Sequence, residues 1–146
     1  MDKIIFEDLL HIYQIEKRCY TKPWNFQNLE SELSKPFAFN YKIVIFRQIA
    51  GYCFCSLYLD NLQINNFCID TIFQHQGYGF KFLNLIINEA TNKGSKVITL
   101  EVNTKNIPAL NLYEKTGFQK DRVIKNFYSN GNDAQRMLLY TNKRGC

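Results

Sequence analysis

A chain of 146 residues, 46% hydrophobic and 15% aromatic, is long and apolar enough to bury a core as one domain spanning 1–146, which excludes a disordered chain. Its formal net charge of +5 favours polyanionic partners, either nucleic acid or a phosphorylated ligand, and is too evenly spread to choose between them. No run of ~18 apolar residues and no apolar start behind a basic segment occurs, so neither a membrane span nor a signal peptide is expected.

Leu9, Ile12, Tyr13 and Tyr20 predict one face of a helix from about Asp8 to Cys19. Pro23-Trp24 interrupts it, and Asn25 can cap a second short helix carrying Phe26, Leu29 and Leu33 on one side. Three strand-like runs follow, Phe37 to Phe46, Ile49 to Leu59 and Leu62 to Ile69, with turns at Arg47-Gln48 and Asp60-Asn61 that make an antiparallel meander. Gly79, Leu83, Ile86, Ile87 and Ala90 form the apolar stripe of a helix that stops near Lys93-Gly94. Val97 to Val102 reads as a strand. Asn106 caps a helix from about Ile107 to Thr116, ended by Gly117, and strands from Phe118 to Phe127 and Asp133 to Thr141 close the chain. Helices, a meander, then β-α-β-α-β-β imply a mixed α/β sheet.

Five cysteines, Cys19, Cys53, Cys55, Cys68 and Cys146, show no Cys-x-x-Cys, and only His11 and His75 are available beside them. No metal site is expected from that set. Cys53 and Cys55 share a strand face, which suits buried small side chains, and reduced thiols fit a cytoplasmic protein. Cys68 is the one near the glycine turn, without a well-placed histidine to activate it.

Three stretches carry chemistry. The first is Gln74-His75-Gln76-Gly77-Tyr78-Gly79, which follows the apolar run Phe67-Cys68-Ile69 and opens a helix. A helix start offers free backbone N–H groups and positive potential, a combination that binds phosphate without basic side chains. A plain strand-to-helix turn accounts for the same residues. A Walker loop and a dinucleotide fingerprint are both excluded, the latter because Leu83 and Asn84 stand where further glycine is needed. The second is Leu100-Glu101-Val102, where Glu101 faces opposite to Ile98, Leu100 and Val102. Such a carboxylate sits either at the wet edge of a sheet or in a cleft, where it can serve as a base. The third is the helix around Tyr113, with Pro108 in its first turn and Ala109, Leu112 and Tyr113 on one face. Tyr113 is either core or a cleft residue whose hydroxyl finds a partner there.

Together these stretches resemble the GNAT acetyltransferases: Gln-x-x-Gly-x-Gly at a helix start, Leu-Glu-Val, then Asn-x-x-Ala-x-x-Leu-Tyr-Glu-Lys-x-Gly-Phe, in that order, over about Ile4 to Leu139. Glu16 and Cys19 before Pro23-Trp24, and Tyr128 followed by Asp133-Ala134 and Met137, are similar to the ribosomal-protein-alanine (RimI) branch. The resemblance implies an α/β GNAT fold, a mixed, mostly antiparallel twisted sheet flanked by about four helices. It implies acetyl-CoA as donor and a protein N-terminal α-amine as acceptor, the alanine of a small-subunit ribosomal protein. By the same resemblance Phe67, Cys68 and Ile69 offer backbone groups to the pantetheine arm, and His75, Gln76, Gly77, Tyr78, Gly79 and Phe80 wrap the pyrophosphate. Asn106 contacts the cofactor arm, Glu101 is the general base and Tyr113 the general acid, with no metal.

The sequence departs from that pattern at Thr71, where proline often follows the aspartate, and at Phe80, often a small or basic residue. A basic ribosomal acceptor also asks for an acidic patch, for which Glu30, Glu32 and Asp60 are the candidates. Two other readings stand beside this one. One is a GNAT enzyme for a small amine or lysine side chain, against which Pro23-Trp24 and Tyr128 argue. The other is a basic module that binds nucleic acid without catalysis, against which the lack of aromatic–basic clustering argues. Neither nucleic acid nor membrane is expected as a direct partner.

Overall fold

The computed structural model describes residues 1–143; Cys146 lies outside them. Seven strands form one sheet in the order β1-β2-β3-β4-β5-β7-β6. They are β1 (Asp2–Lys3), β2 (Tyr41–Ile45), β3 (Gln48–Tyr58), β4 (Asn61–Ile69), β5 (Val97–Asn103), β6 (Gln119–Ile124) and β7 (Ala134–Tyr140). The helices are α1 (Leu9–Cys19), α2 (Phe26–Leu33), α3 (Tyr78–Asn92) and α4 (Ile107–Thr116). Every strand pairing is antiparallel except β4 with β5. That one parallel pair is joined through α3, as a parallel connection requires.

Strand alternation builds two cores. From β3, Tyr52 and Phe54 join Leu9, Ile12, Ile15 and Leu29 under α1 and α2. Cys53 and Cys55 join Phe82, Leu83, Ile86, Ile87 and Tyr113 under α3 and α4. Each fully buried large apolar side chain contributes roughly 1.5–3 kcal/mol, and β3, buried on both faces, is where the two layers share one strand.

Several boundaries differ from the sequence reading: the β3–β4 turn is Leu59-Asp60, so Asn61 already pairs with Tyr58, and the strand expected from Phe118 to Phe127 ends at Ile124. The β2–β3 turn sits one residue earlier, at Phe46 and Arg47, both at positive φ (51° and 65°), a two-residue hairpin turn, and Gln48 starts β3. The expected strand from Phe37 breaks at Asn40, whose buried side chain enters the ladder. Asn40 Oδ1 accepts from Cys55 N at 3.0 Å, and its amide donates to the Glu32 carbonyl at 3.3 Å. Phe37 and Phe39 still reach β3 through backbone bonds with Leu57 and Cys55.

Among the described residues no helix is long and apolar enough to cross a membrane.

Candidate active site

The site is a parting in the sheet. β4 and β5 pair only from Asn61↔Val97 to Ile64↔Leu100, after which β4 runs on to Ile69 against β3 and β5 runs on to Asn103 against β7. Past Ile64 the β5-facing edge of β4 is therefore unpaired. Which groups face the gap follows from ladder alternation: Asp70 N donates to Ala50 O at 2.8 Å, so Cys68, two residues earlier, turns its backbone to β3. Phe67 and Ile69 face the gap. Their carbonyls already accept from side chains, Phe67 O from the Tyr20 hydroxyl and Ile69 O from the Gln74 amide, both at 2.8 Å. Of the three residues expected to offer backbone groups, Cys68 instead serves the β3 ladder.

Beyond β4 the chain turns into α3. Arg18 clamps this corner, its Nε and Nη2 donating to the two Asp70 oxygens at 3.1 and 2.8 Å. Burial opposes the Asp70 charge, but the Arg18 guanidinium prevails and holds its carboxyl below the usual range. His75 (φ 62°) and Gly77 (φ 85°) then take left-handed conformations. Gln74 and Gln76 fold back onto the Ile69 and Ile72 carbonyls. The backbone N–H groups of His75, Gln76, Gly77, Tyr78, Gly79 and Phe80 find no acceptor among the described residues, and the first helical bond starts from Lys81 N. A Cβ on Gly77 would point into open space, whereas one on Gly79 would lie 3.3 Å from Leu112 Cδ2. Gly77 shapes the turn, and Gly79 lets α3 approach α4.

Glu101 lies on the sheet face opposite α3 and α4. Arg136, its direct partner in β7, donates Nη1 to Oε1 at 2.7 Å, and Gln63 of β4 donates Nε2 to Oε2 at 2.7 Å. Thr99 donates its hydroxyl to Gln63 Oε1, fixing the amide's orientation, and Asp121 stands 3.7 Å from Arg136 Nε. Glu101 is thus neither a freely solvated strand glutamate nor an unpartnered buried one. Gln63 and Arg136 had no signal in the sequence, because strand register is set by tertiary pairing.

Tyr113 projects from α4 with its ring buried against Phe67 (centroids 6.3 Å) and Phe118 (5.7 Å). Burial pushes its phenol above the ordinary value, and its hydroxyl makes no hydrogen bond to any described residue. Tyr128, in the β6–β7 loop, is half-buried; burial and the Glu101 charge both raise its phenol, which ties that loop to the same cleft. Asn106 uses Oδ1 to cap α4 at Ala109 N (3.3 Å). The other wall is the α1–α2 loop. Buried Glu16 holds it by accepting from Trp24 N (2.9 Å), Asn66 Nδ2 (2.8 Å) and the Tyr52 hydroxyl.

The four described cysteines are free thiols. Cys53 and Cys55 are buried, as expected, with sulfurs 3.2 Å apart. Of the acidic-patch candidates on α2, Glu32 is buried and paired with Lys35 at 2.7 Å, so its charge is already partnered. Asp60 lies in the β3–β4 turn.

The parting of β4 from β5 has the N-terminus of α3 at one end, Glu101 on β5 and the Tyr113 ring of α4 against Phe67 of β4. The acetyltransferase (GNAT) family model matches residues 9–118. A Haemophilus influenzae [ribosomal protein bS18]-alanine N-acetyltransferase is 32% identical over 121 residues, 83% of this chain and 82% of that one. A Bacillus subtilis (strain 168) relative, provisionally assigned the same activity, is 33% identical over 139 residues, 94% and 92% of the two chains. The crystal structure of the ribosomal-protein-S18-alanine N-acetyltransferase from Escherichia coli superposes with a TM-score of 0.90 at 28% identity, covering 96% of this chain and 92% of its own. With the family model covering most of its length, this chain belongs to the GNAT family and is an N-acetyltransferase.

Proposed function

We propose that this enzyme transfers the acetyl group of acetyl-CoA to a protein N-terminal α-amine, that of the alanine at the start of a small-subunit ribosomal protein, in the cytoplasm. The observation that carries the reading is the parting of β4 from β5 beyond Ile64 and Leu100, with a run of free N–H groups at its α3 end. The pantetheine arm lies along Phe67 and Ile69, and the pyrophosphate meets the N–H groups of residues 75–80, an anion site of the kind helix N-termini provide. The names and 29–33% identities of the relatives support the ribosomal acceptor.

The chemistry follows from the two rim residues. An α-amine has a pKa near ~8, so much of it is protonated at neutral pH. Each Glu101 oxygen takes one donor and keeps lone-pair capacity, enough to accept the amine proton directly or through a water. The amine nitrogen attacks the thioester carbonyl, an N–C bond forms and the C–S bond breaks. The departing thiolate takes its proton from the Tyr113 hydroxyl, which burial keeps protonated. Metal and covalent intermediate are unnecessary to this sequence of steps.

Mass spectrometry of a peptide library incubated with acetyl-CoA tests the acceptor. The expected product is α-acetylation, strongest on alanine-initiated peptides of the ribosomal type. Acetylation confined to lysine side chains or small amines would replace this reading with the other GNAT one.

A further inference from the structure

The phosphate turn lacks a basic side chain of its own at position 80, where Phe80 stands in the first turn of α3 and is 37% exposed. A cation reaches that position from another element. The Lys115 ammonium, from the last turn of α4, lies over the Phe80 ring, 4.7 Å from its centroid. It makes no ion pair with any described residue; the neighbouring Glu114 pairs instead with Lys120 at 3.8 Å. An ammonium beside the positive end of a helix is unfavourable by itself. The ring face offsets part of that cost, and a cation–π contact at an exposed site is weak enough to release or share its cation. The outcome is a charge-bearing group held over the ring of Phe80, the last of the six residues whose backbone N–H groups find no acceptor among the described residues.

We propose that Lys115 is the side-chain phosphate ligand of this enzyme, contacting a phosphate of CoA, with Phe80 as the platform that holds its ammonium in place. The proposal rests on the acetyl-CoA reading above and adds a contact from α4 to a cradle otherwise made of backbone. Both a pyrophosphate oxygen and the 3′-phosphate of the adenosine moiety offer the required chemistry, a dianionic or monoanionic phosphoryl group meeting a point-charge ammonium.

Calorimetric titration of the full chain with CoA and with 3′-dephospho-CoA, at two salt concentrations, tests it. Lys115→Met should weaken CoA binding roughly tenfold and flatten its salt dependence, while Lys115→Arg retains most of the affinity. Phe80→Leu, which removes the ring face, should give a smaller loss in the same direction. A tenfold loss seen with CoA and absent with 3′-dephospho-CoA assigns the contact to the 3′-phosphate; the same loss with both ligands assigns it to the pyrophosphate. Wild-type binding with Lys115→Met within twofold of it would overturn the assignment of Lys115 alone. A wild-type chain that binds neither ligand would overturn the acetyl-CoA reading and Lys115 with it.

Discussion

Glu101 is held by two donors, and this changes what its substitution measures. Glu101→Gln removes proton acceptance, but it also sets an amide NH₂ against the Arg136 or the Gln63 donor. A turnover loss of roughly 10²- to 10⁴-fold is expected at neutral pH. Part of it should return at high pH, where the amine deprotonates without help; a pH series of kcat reads this. Turnover near wild type at pH 7 would make Glu101 a structural ligand of Arg136. Tyr113 gives a cleaner experiment, because its hydroxyl bonds no described residue while its ring packs on Phe67 and Phe118. Tyr113→Phe should leave stability and acetyl-CoA affinity almost unchanged and lower kcat by ~10² or more, since a proton for the leaving thiolate matters only as the C–S bond breaks. A Tm drop with normal turnover would return Tyr113 to the core. At this scale the sequence named both residues from their motifs and missed what orients them. Gln63 meets Glu101 across a parallel register, and Arg136 meets it across an antiparallel one, and neither register is written in local composition.

Elements meet at the corner between β4 and α3, and two glycines there have separate duties. Gly77 sits at φ 85° with open space where a Cβ would go, so Gly77→Val should strain the turn and fill the room beside the N–H run. Acetyl-CoA binding should be lost to calorimetry while circular dichroism stays native. Unchanged affinity in that folded variant would remove the cradle. Gly79, which the motif grouped with it, also serves the α3–α4 contact through Leu112; motif spacing does not distinguish a turn glycine from a packing one. The corner is also held by Arg18, which joins α1 to Asp70 at the end of β4. The folded-state carboxyl of Asp70 titrates below its ordinary value, so the pair's contribution to stability is present above about pH 4, the ordinary carboxylate range, and fades as pH falls through the lower folded value. Arg18→Met should therefore cost ~1–2 kcal/mol at pH 7, a figure kept modest because the Arg18 side chain is 44% exposed. Urea unfolding should show the difference shrinking by pH 3; an equal difference at both pH values would assign the cost to lost packing.

Across the whole molecule, the sheet is two blocks joined by one short parallel seam. β1 to β4 form one block and β5 to β7 the other, and the ladder between them spans only Asn61–Ile64 against Val97–Leu100. Element order and the helix faces were readable from hydrophobic period, capping asparagines and turn glycines, because those signals are local. The seam's length was not, because it depends on where two distant strands stop pairing. That length is what creates the cleft. Hydrogen exchange resolves it residue by residue. In the free protein the amides of Phe67 and Ile69, facing the gap, should exchange faster than that of Cys68, which is turned into the β3 ladder. With acetyl-CoA at 100 times its Kd, a pantetheine arm lying across the gap should slow Phe67 and Ile69 selectively. The whole chain should then gain about 2.7 kcal/mol by mass action, so Cys68, already protected, should slow only through that global term. An alternating response of this kind requires a ligand that completes the edge of β4 as a missing strand would. If Phe67 and Ile69 slow no more than Cys68, the donor does not lie in the parting, and the β4 edge is open for another reason.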